Sequence, residues 1–134
     1  MNNDIDNFLN KLNWKFERLN DTMIVSGFTG NTTSFTFYIS DADEWIIFLT
    51  YANLLPIPEK NRSEIFSILT KLNYETPFVK FSIDGKSNIV VLVELPNKLL
   101  TETSVQISLD SLCTYTEIVY DLLPDYHVIM ESGV

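Results

Sequence analysis

The sequence contains one thiol and one imidazole that could take part in nucleophilic catalysis. Cys113 is the only cysteine, His127 is the only histidine, and fourteen positions separate them. A cysteine and a histidine can form a nucleophile–base pair. However, Cys113 falls inside a predicted helix, where neither a helix N-terminus nor a basic neighbour would lower the pKa of its thiol. We therefore interpret Cys113 as structural and His127 as a surface residue, and we assign no catalytic residue.

Motifs for binding metals, phosphates and nucleotides are also missing. A zinc site needs about four ligands, usually in closely spaced pairs, which one cysteine and one histidine cannot supply. The acidic segment Asp41-Ala42-Asp43-Glu44 lacks the glycine and the distant bidentate glutamate of an EF-hand, so we interpret it as a polar connection between strands. The four glycines form neither a dinucleotide-binding pattern nor a P-loop. The sequence predicts no cofactor and no metal.

The charge of the chain narrows the choice of partners. Nine Lys and Arg stand against eighteen Asp and Glu, which gives a net charge of −9. Nucleic acids and anionic membrane surfaces both require an excess of cations, so we expect neither as a partner. The N-terminus carries no basic and apolar signal segment, and the apolar runs Trp45–Leu49 and Ile89–Val93 are too short to span a bilayer. We expect a cytoplasmic protein.

Hydrophobic periodicity predicts one α+β domain over residues 1–134, a length that can bury a substantial core. Helical spacing occurs in Ile5–Leu12, Ile65–Leu72 and Val105–Leu123, whereas the segments between them alternate with a period of two. The predicted order is α-β-β-β-β-α-β-β-α, with the strands in an antiparallel sheet. We expect Asn73 to cap the end of the second helix, and Thr103 with Gln106 to form a capping box for the third.

Two predicted strands are apolar on both faces. In Trp45–Ala52 and in the strand after Asn88, large apolar side chains occupy both sets of alternating positions. A single antiparallel sheet covered by helices on one side should be polar on the other. These strands therefore need a second cover, which could be a helix of the same chain, a second subunit or a bound segment. As the partner or dimer surface we predict Ile46, Phe48, Val90 and Leu92, joined by Ile107 and Ile118 of the last helix.

Several segments together carry a family resemblance. Pro56–Ile65, Leu69–Tyr74 and Pro77–Asp84 show a proline before a helix, an asparagine at its end and then a strand that ends in an acidic residue. With the aromatic strand Trp45–Tyr51 and the segment Leu99–Thr101, they resemble the YbjN family, whose members share a type III secretion chaperone-like fold. The resemblance implies an α+β fold, a tendency to dimerise, and binding of proteins or peptides instead of catalysis.

Two functional hypotheses follow. The first is a non-enzymatic protein- or peptide-binding domain, chaperone-like or a regulatory adaptor, that acts as a homodimer. The alternative is a small-molecule-binding or enzymatic domain with a pocket between the sheet and the C-terminal helix, in which Asp41, Asp43 or Glu94 would serve as acids. A binding site of the second kind needs convergent polar groups, and the sequence offers no such cluster.

Overall fold

The computed structural model describes residues 4–42, 44–52 and 56–123. Within these ranges the elements follow the predicted order, and single 3₁₀ turns at Glu59–Asn61 and Asn97–Leu99 precede the second and third helices. The helices are α1 (Asp4–Lys11), α2 (Arg62–Glu75) and α3 (Glu102–Asp121). The strands are β1 (Phe16–Asn20), β2 (Met23–Thr29), β3 (Ser34–Ala42), β4 (Trp45–Tyr51), β5 (Val79–Ile83) and β6 (Ile89–Pro96).

The strands form one six-stranded sheet in the order β1-β2-β3-β4-β6-β5, and each neighbouring pair is antiparallel. Short polar turns join the first strands, as the sequence predicts. The Asn20 side chain accepts a hydrogen bond from the Thr22 N–H (2.9 Å) after β1, and Gly30 N–H donates to the Thr33 carbonyl (2.8 Å) after β2. Side chains that bond to the backbone two residues on are what make such turns stable.

Two helices, α1 and α3, lie on one face of the sheet, and α2 lies along its β5 edge. α3 packs on β4, β5 and β6, α1 packs against α3, and α2 packs against β5. Each helix contributes its predicted apolar stripe to a single hydrophobic core. Phe48 of β4 is fully buried beneath the helices, whereas its strand neighbours Trp45 and Tyr51, which point the other way, are 48% and 41% exposed. We call the helix-packed side the covered face.

The helix ends differ in two places from the sequence prediction. Thr101, in an extended conformation, caps α3: its Oγ1 accepts from Ser104 N–H (3.0 Å) and its own N–H donates to Ser104 Oγ (2.8 Å). The capping box predicted at Thr103 is therefore wrong, because the helix begins two residues earlier. Asn73 is not the cap of α2, which continues to Glu75; its side chain bonds to β5 instead. Within the described residues, no helix is long and apolar enough to cross a membrane.

Candidate functional site

The side of the sheet opposite the helices is also apolar, and we call it the open face. Its side chains alternate along each strand with those of the covered face. Most are half-buried, and α3, the main helix of the covered face, lies on the other side of the sheet. The apolar residues of the open face are Met23, Val25, Tyr38, Trp45, Ile47, Leu49, Tyr51, Val90 and Leu92, and the same face carries the polar residues Glu17, Thr36, Ser40, Lys80, Ser82 and Glu94.

One row of cross-strand neighbours shows the pattern of the open face most clearly. The strand registers align one residue from every strand into a line across the whole sheet. In the order of the strands, the row reads Glu17, Val25, Tyr38, Leu49, Leu92 and Lys80. Strands lie about 4.8 Å apart, so the apolar middle of this row extends over roughly 14 Å and ends in a charge on either side. An apolar centre with a polar rim is the usual anatomy of a protein–protein interface.

Two depressions mark the margins of the open face. One, of about 580 Å³, is lined by Glu44, Trp45, Pro96, Asn97 and Lys98 at the corner where β4 begins. The other, of about 560 Å³, lies over β5 and β6, and Lys80, Leu92 and Glu94 contribute to its lining. Lys80 and Glu94 form an ion pair there. Trp45 is 48% exposed and lines the first of these depressions.

The six residues predicted as a partner surface do not form one patch. Val90 and Leu92 lie on the open face, where Val90 is already largely buried. Ile46 and Phe48 are fully buried on the covered face, so a partner could not touch them, and their assignment to a surface is wrong. Ile107 and Ile118 are exposed on the outer side of α3, away from the sheet.

The sequence prediction placed the spare surface of β4 on the wrong set of alternating residues. Ile47, Leu49, Trp45 and Tyr51 are the β4 side chains of the open face. Thr50, which shares the covered face with Phe48, is fully buried, and its Oγ1 donates to the Thr36 carbonyl (2.6 Å). The hydroxyl of Thr50 is thus satisfied by backbone, which allows a polar residue to be buried in the core.

The edge of the sheet at β5 is closed by α2. The Asn73 amide donates to the Phe81 carbonyl (2.9 Å), and its oxygen accepts from the Phe81 N–H (2.9 Å). These are the backbone groups through which an added strand would pair. Asn73 thus occupies the middle of this edge and hinders the addition of a strand there.

The acidic residues that the alternative hypothesis proposes for a pocket do not lie together: Asp41 and Glu94 are on opposite faces of the sheet. Asp41 lies on the covered side, where Arg18 Nη2 is 3.5 Å from its Oδ2 and 2.5 Å from Asp6 Oδ1. Burial raises the pKa of Asp41, and the nearby Arg18 guanidinium partly offsets that effect. Glu94 lies on the open face beside Lys80, and Asp43 lies outside the described residues.

The space between the sheet and α3 is occupied by the core. Phe48, Val91 and Val93 of the sheet and Leu109 and Leu112 of α3 are fully buried there. The pocket that the alternative hypothesis places between the sheet and the C-terminal helix is therefore filled with apolar side chains.

The structure describes the surroundings of Cys113 but does not describe His127. Cys113 is half-buried in α3, and burial together with the nearby carboxylates of Asp110 and Glu117 raises the pKa of its thiol to about 12. The thiol is therefore neutral at physiological pH and is a poor nucleophile. His127 lies outside the described residues. The described part of the chain brings together no group of three or more His, Cys, Asp or Glu that could hold a metal ion.

Comparisons with known proteins agree with this geometry. The family model YbjN, described as "Putative bacterial sensory transduction regulator", matches residues 3–116. No curated protein matches the chain in sequence.

Three solved structures share the fold at low sequence identity. A chain of the heterodimeric ExoU–SpcU complex from the type III secretion system of Pseudomonas aeruginosa has a TM-score of 0.65 and 16% identity, over 89% of this chain and 97% of that one. YbjN from E. coli has a TM-score of 0.67 and 14% identity, over 89% and 88%. A chain of the Yersinia pestis secretion chaperone SycH in complex with a YscM2 fragment has a TM-score of 0.58 and 16% identity, over 84% and 93%. These TM-scores establish a common fold, the type III secretion chaperone-like α+β fold.

Proposed function

This chain belongs to the YbjN family, and from that premise we propose that it is a non-enzymatic domain that binds a segment of another protein on its open face. The proposal makes it a chaperone-like or regulatory adaptor. The family description names a regulator, and a regulator that works by binding a protein would use such a surface. Two of the proteins that share the fold are described in complexes with protein partners.

The observation that carries the proposal is the row from Glu17 to Lys80. Its apolar centre lies on a sheet face that no described helix covers, and its two ends are charged. A partner that lies along the row buries Leu49 and Leu92 and leaves the charged ends in water. Trp45 and Tyr51 add large exposed rings on the same face. Aromatic anchors, an apolar centre and a charged rim are together characteristic of protein-binding surfaces.

The net charge of −9 favours partners of positive charge. A strongly acidic protein accelerates its encounter with basic partners and slows its encounter with acidic ones. We propose that the segment is apolar with basic flanks.

The proposal includes a homodimer. A second copy could cover the open face by two-fold pairing, in which the same patch of each copy meets its counterpart. A stable interface needs about 800 Å² from each partner, and an apolar patch that is left uncovered promotes self-association. Light scattering on the wild type and on a Leu49→Asp variant tests this part. We expect a dimer for the wild type and a monomer for the variant; a wild-type monomer at 100 µM would contradict the dimer and leave the client site standing.

A paired capture experiment tests the client site. Wild type, Leu49→Asp and Tyr74→Asp are immobilised, and proteins from the native cell lysate that bind each are identified by mass spectrometry. Tyr74 is an exposed aromatic residue on α2, so it is the matched control. We expect Tyr74→Asp to retain the same proteins as the wild type and Leu49→Asp to lose them. Equal capture by all three would refute the open face as the site.

The small-molecule alternative makes an opposite prediction. In a thermal-shift screen of metals and metabolites, a specific ligand raises the melting temperature by mass action. We expect no compound to do so. A shift of several degrees with a single compound would favour the alternative hypothesis.

A further inference from the structure

The outward side of α3 carries a second apolar surface, distinct from the open face. Positions i, i+4, i+7, i+11 and i+15 of a helix fall on one side. Three large apolar side chains on this side are well exposed: Ile107 by 50%, Ile118 by 40% and Leu122 by 48%. We call the following set the outer stripe: Ile107, Ser111, Thr114, Ile118 and Leu122.

Negative charge flanks the outer stripe without a compensating base. α3 contains the acids Glu102, Asp110, Glu117 and Asp121 but no Lys or Arg, and no Lys or Arg follows Lys98 in the sequence. Among the residues that the structure describes, the ion pairs of Arg18 with Asp6 and Asp41 and of Lys80 with Glu94 involve no acid of α3. The acids of α3 therefore have no cationic partner within the described chain.

The position of these acids increases the negative potential. Glu117 and Asp121 lie in the last turns of α3, where the helix dipole already places a partial negative charge. Glu117 accepts a hydrogen bond from the Asn31 N–H (2.5 Å) of the β2–β3 loop, which holds its carboxylate in place. Exposed Asp110 and Asp121 border the outer stripe. A cation from a partner would relieve this uncompensated charge.

The helix beneath the stripe is rigidly held. Its N-terminus is closed by the Thr101–Ser104 capping box, and on its inner side Ser108 and Thr116 donate to the carbonyls one turn earlier. The apolar inner side of α3 is buried in the core. A partner would therefore meet a preformed surface, which lowers the entropic cost of binding.

We propose that the outer stripe binds a basic amphipathic helix of a partner protein, with apolar side chains on one side and Lys or Arg next to them. Such a helix buries its apolar side on Ile107 and Ile118 and places its cations beside Asp110 and Asp121. A second copy of this chain fits poorly, because pairing two outer stripes would oppose acids with acids. Since α3 lies between the outer stripe and the sheet, this surface can be occupied together with the open face.

The test uses two synthetic peptides of identical composition and the full-length protein. The first is an 18-residue helix with leucines at i, i+4, i+7 and i+11 and lysines flanking them; the second has the same residues scrambled, so that no apolar side forms. Fluorescence anisotropy measures the affinity of each peptide for wild type and variants at low and moderate salt. We expect the patterned peptide to bind at least about tenfold more tightly than the scrambled one, as in helix-in-groove recognition.

Variants assign the binding to its surface. We expect Ile118→Ser to weaken the patterned peptide by about tenfold, and Asp110→Asn with Asp121→Asn to weaken it several-fold and to reduce its salt dependence. Tyr74→Ser on α2, outside both surfaces, should leave the affinity unchanged, and a loss of binding in Leu49→Ser but not in Ile118→Ser would move the site to the open face and overturn the inference.

Three further results would also overturn it. The first is equal binding of the patterned and scrambled peptides, which would mean attraction by net charge only. The second is a drop of several degrees in the melting temperature of Ile118→Ser, which would mean that the chain itself covers the stripe. The third is conversion of a wild-type dimer to a monomer by that substitution, which would assign the stripe to a second copy.

Discussion

The two faces of the sheet are built from the same kinds of residue but have different surroundings. Phe48 and Leu49 are neighbours in β4, and both are large and apolar. Phe48 points into the core beneath the helices and is fully buried, whereas Leu49 points to the open face and is shielded only by its neighbours there. Hydrophobic content alone therefore does not separate stability from binding in this fold; the position of the helices does.

Because of this difference, we expect substitutions on the two faces to have different effects on stability. On the covered face, a lost side chain leaves a cavity within a closely packed core, and the folded state loses stability. On the open face, a lost side chain leaves no enclosed cavity, so we expect a smaller loss of stability. Substitutions of adjacent residues can test the division directly.

The largest effect is expected from Phe48→Ala. The truncation removes most of a fully buried ring, and the free energy of unfolding should fall by about 3–5 kcal/mol. Denaturant unfolding followed by circular dichroism measures the loss. Phe48→Leu is the control, because it keeps much of the volume and should cost markedly less. A change below about 1 kcal/mol for the alanine variant would show that α3 does not cover this side chain in solution.

The next effect concerns the edge that joins the two faces. Asn73→Ala removes both side-chain hydrogen bonds to the Phe81 backbone, and we expect a loss of about 1–3 kcal/mol. The variant should also self-associate through the freed β5 edge, which analytical ultracentrifugation detects.

Asn73→Asp provides the matched control for this edge. A carboxylate can still accept from the Phe81 N–H but cannot donate to the Phe81 carbonyl. Its stability should therefore lie between those of the wild type and Asn73→Ala. If Asn73→Ala remained as stable as the wild type and did not associate, the closure of the edge by Asn73 would be disproved.

A smaller effect on stability is expected from Leu49→Ala. The side chain is shielded but not enclosed, so its removal should lower the free energy of unfolding by about 1 kcal/mol. When Leu49→Ala and Phe48→Ala are measured under the same conditions, the two losses in the free energy of unfolding compare the open face with the covered face. Equal losses for the two variants would mean that the open face is covered in solution, and repeating the measurement at higher protein concentration would show whether a second copy provides the cover.

The sequence predicts the elements better than it predicts which strand face is covered. The inward stripe of α3, from Val105 to Leu123, is buried as its spacing indicates, and so are Ile65 and Leu69 of α2. A helix with one apolar side has only one way to bury it. The order of the strands along the chain also follows from the alternation.

The choice of face could not be made because β4 is apolar on both sides. Alternation fixes which residues share a face, but the helices decide which face is the core, and their placement depends on contacts between residues distant in sequence. Ile46 and Leu49 are thus equivalent until α3 is positioned. The prediction that Asn73 caps α2 is wrong for a similar reason. An asparagine near the end of a helix is typical of a cap, and only the folded chain brings β5 to its side chain.

The smallest effect is expected at Asp41, the carboxylate whose side chain is only 3% exposed at the end of the covered face. Burial raises its pKa above the ordinary value of 3.8, despite the opposing effect of Arg18. A raised pKa in the folded state means that the unfolded chain releases this proton more readily, so ionisation of Asp41 reduces stability as the pH rises through these values. Asp41→Asn should therefore be more stable than the wild type at pH 7, on the order of a few tenths of a kcal/mol.

The pH dependence distinguishes this explanation from a general change in packing. The advantage of Asp41→Asn over the wild type should disappear below about pH 3.8, where Asp41 is protonated in both states of the wild type. Glu94→Gln on the open face is the control, and its exposed ion pair with Lys80 should contribute little at any pH. If Asp41→Asn were instead less stable at pH 7, the attraction between Arg18 and Asp41 would outweigh the cost of burial, and the covered face would tolerate charge better than its packing implies.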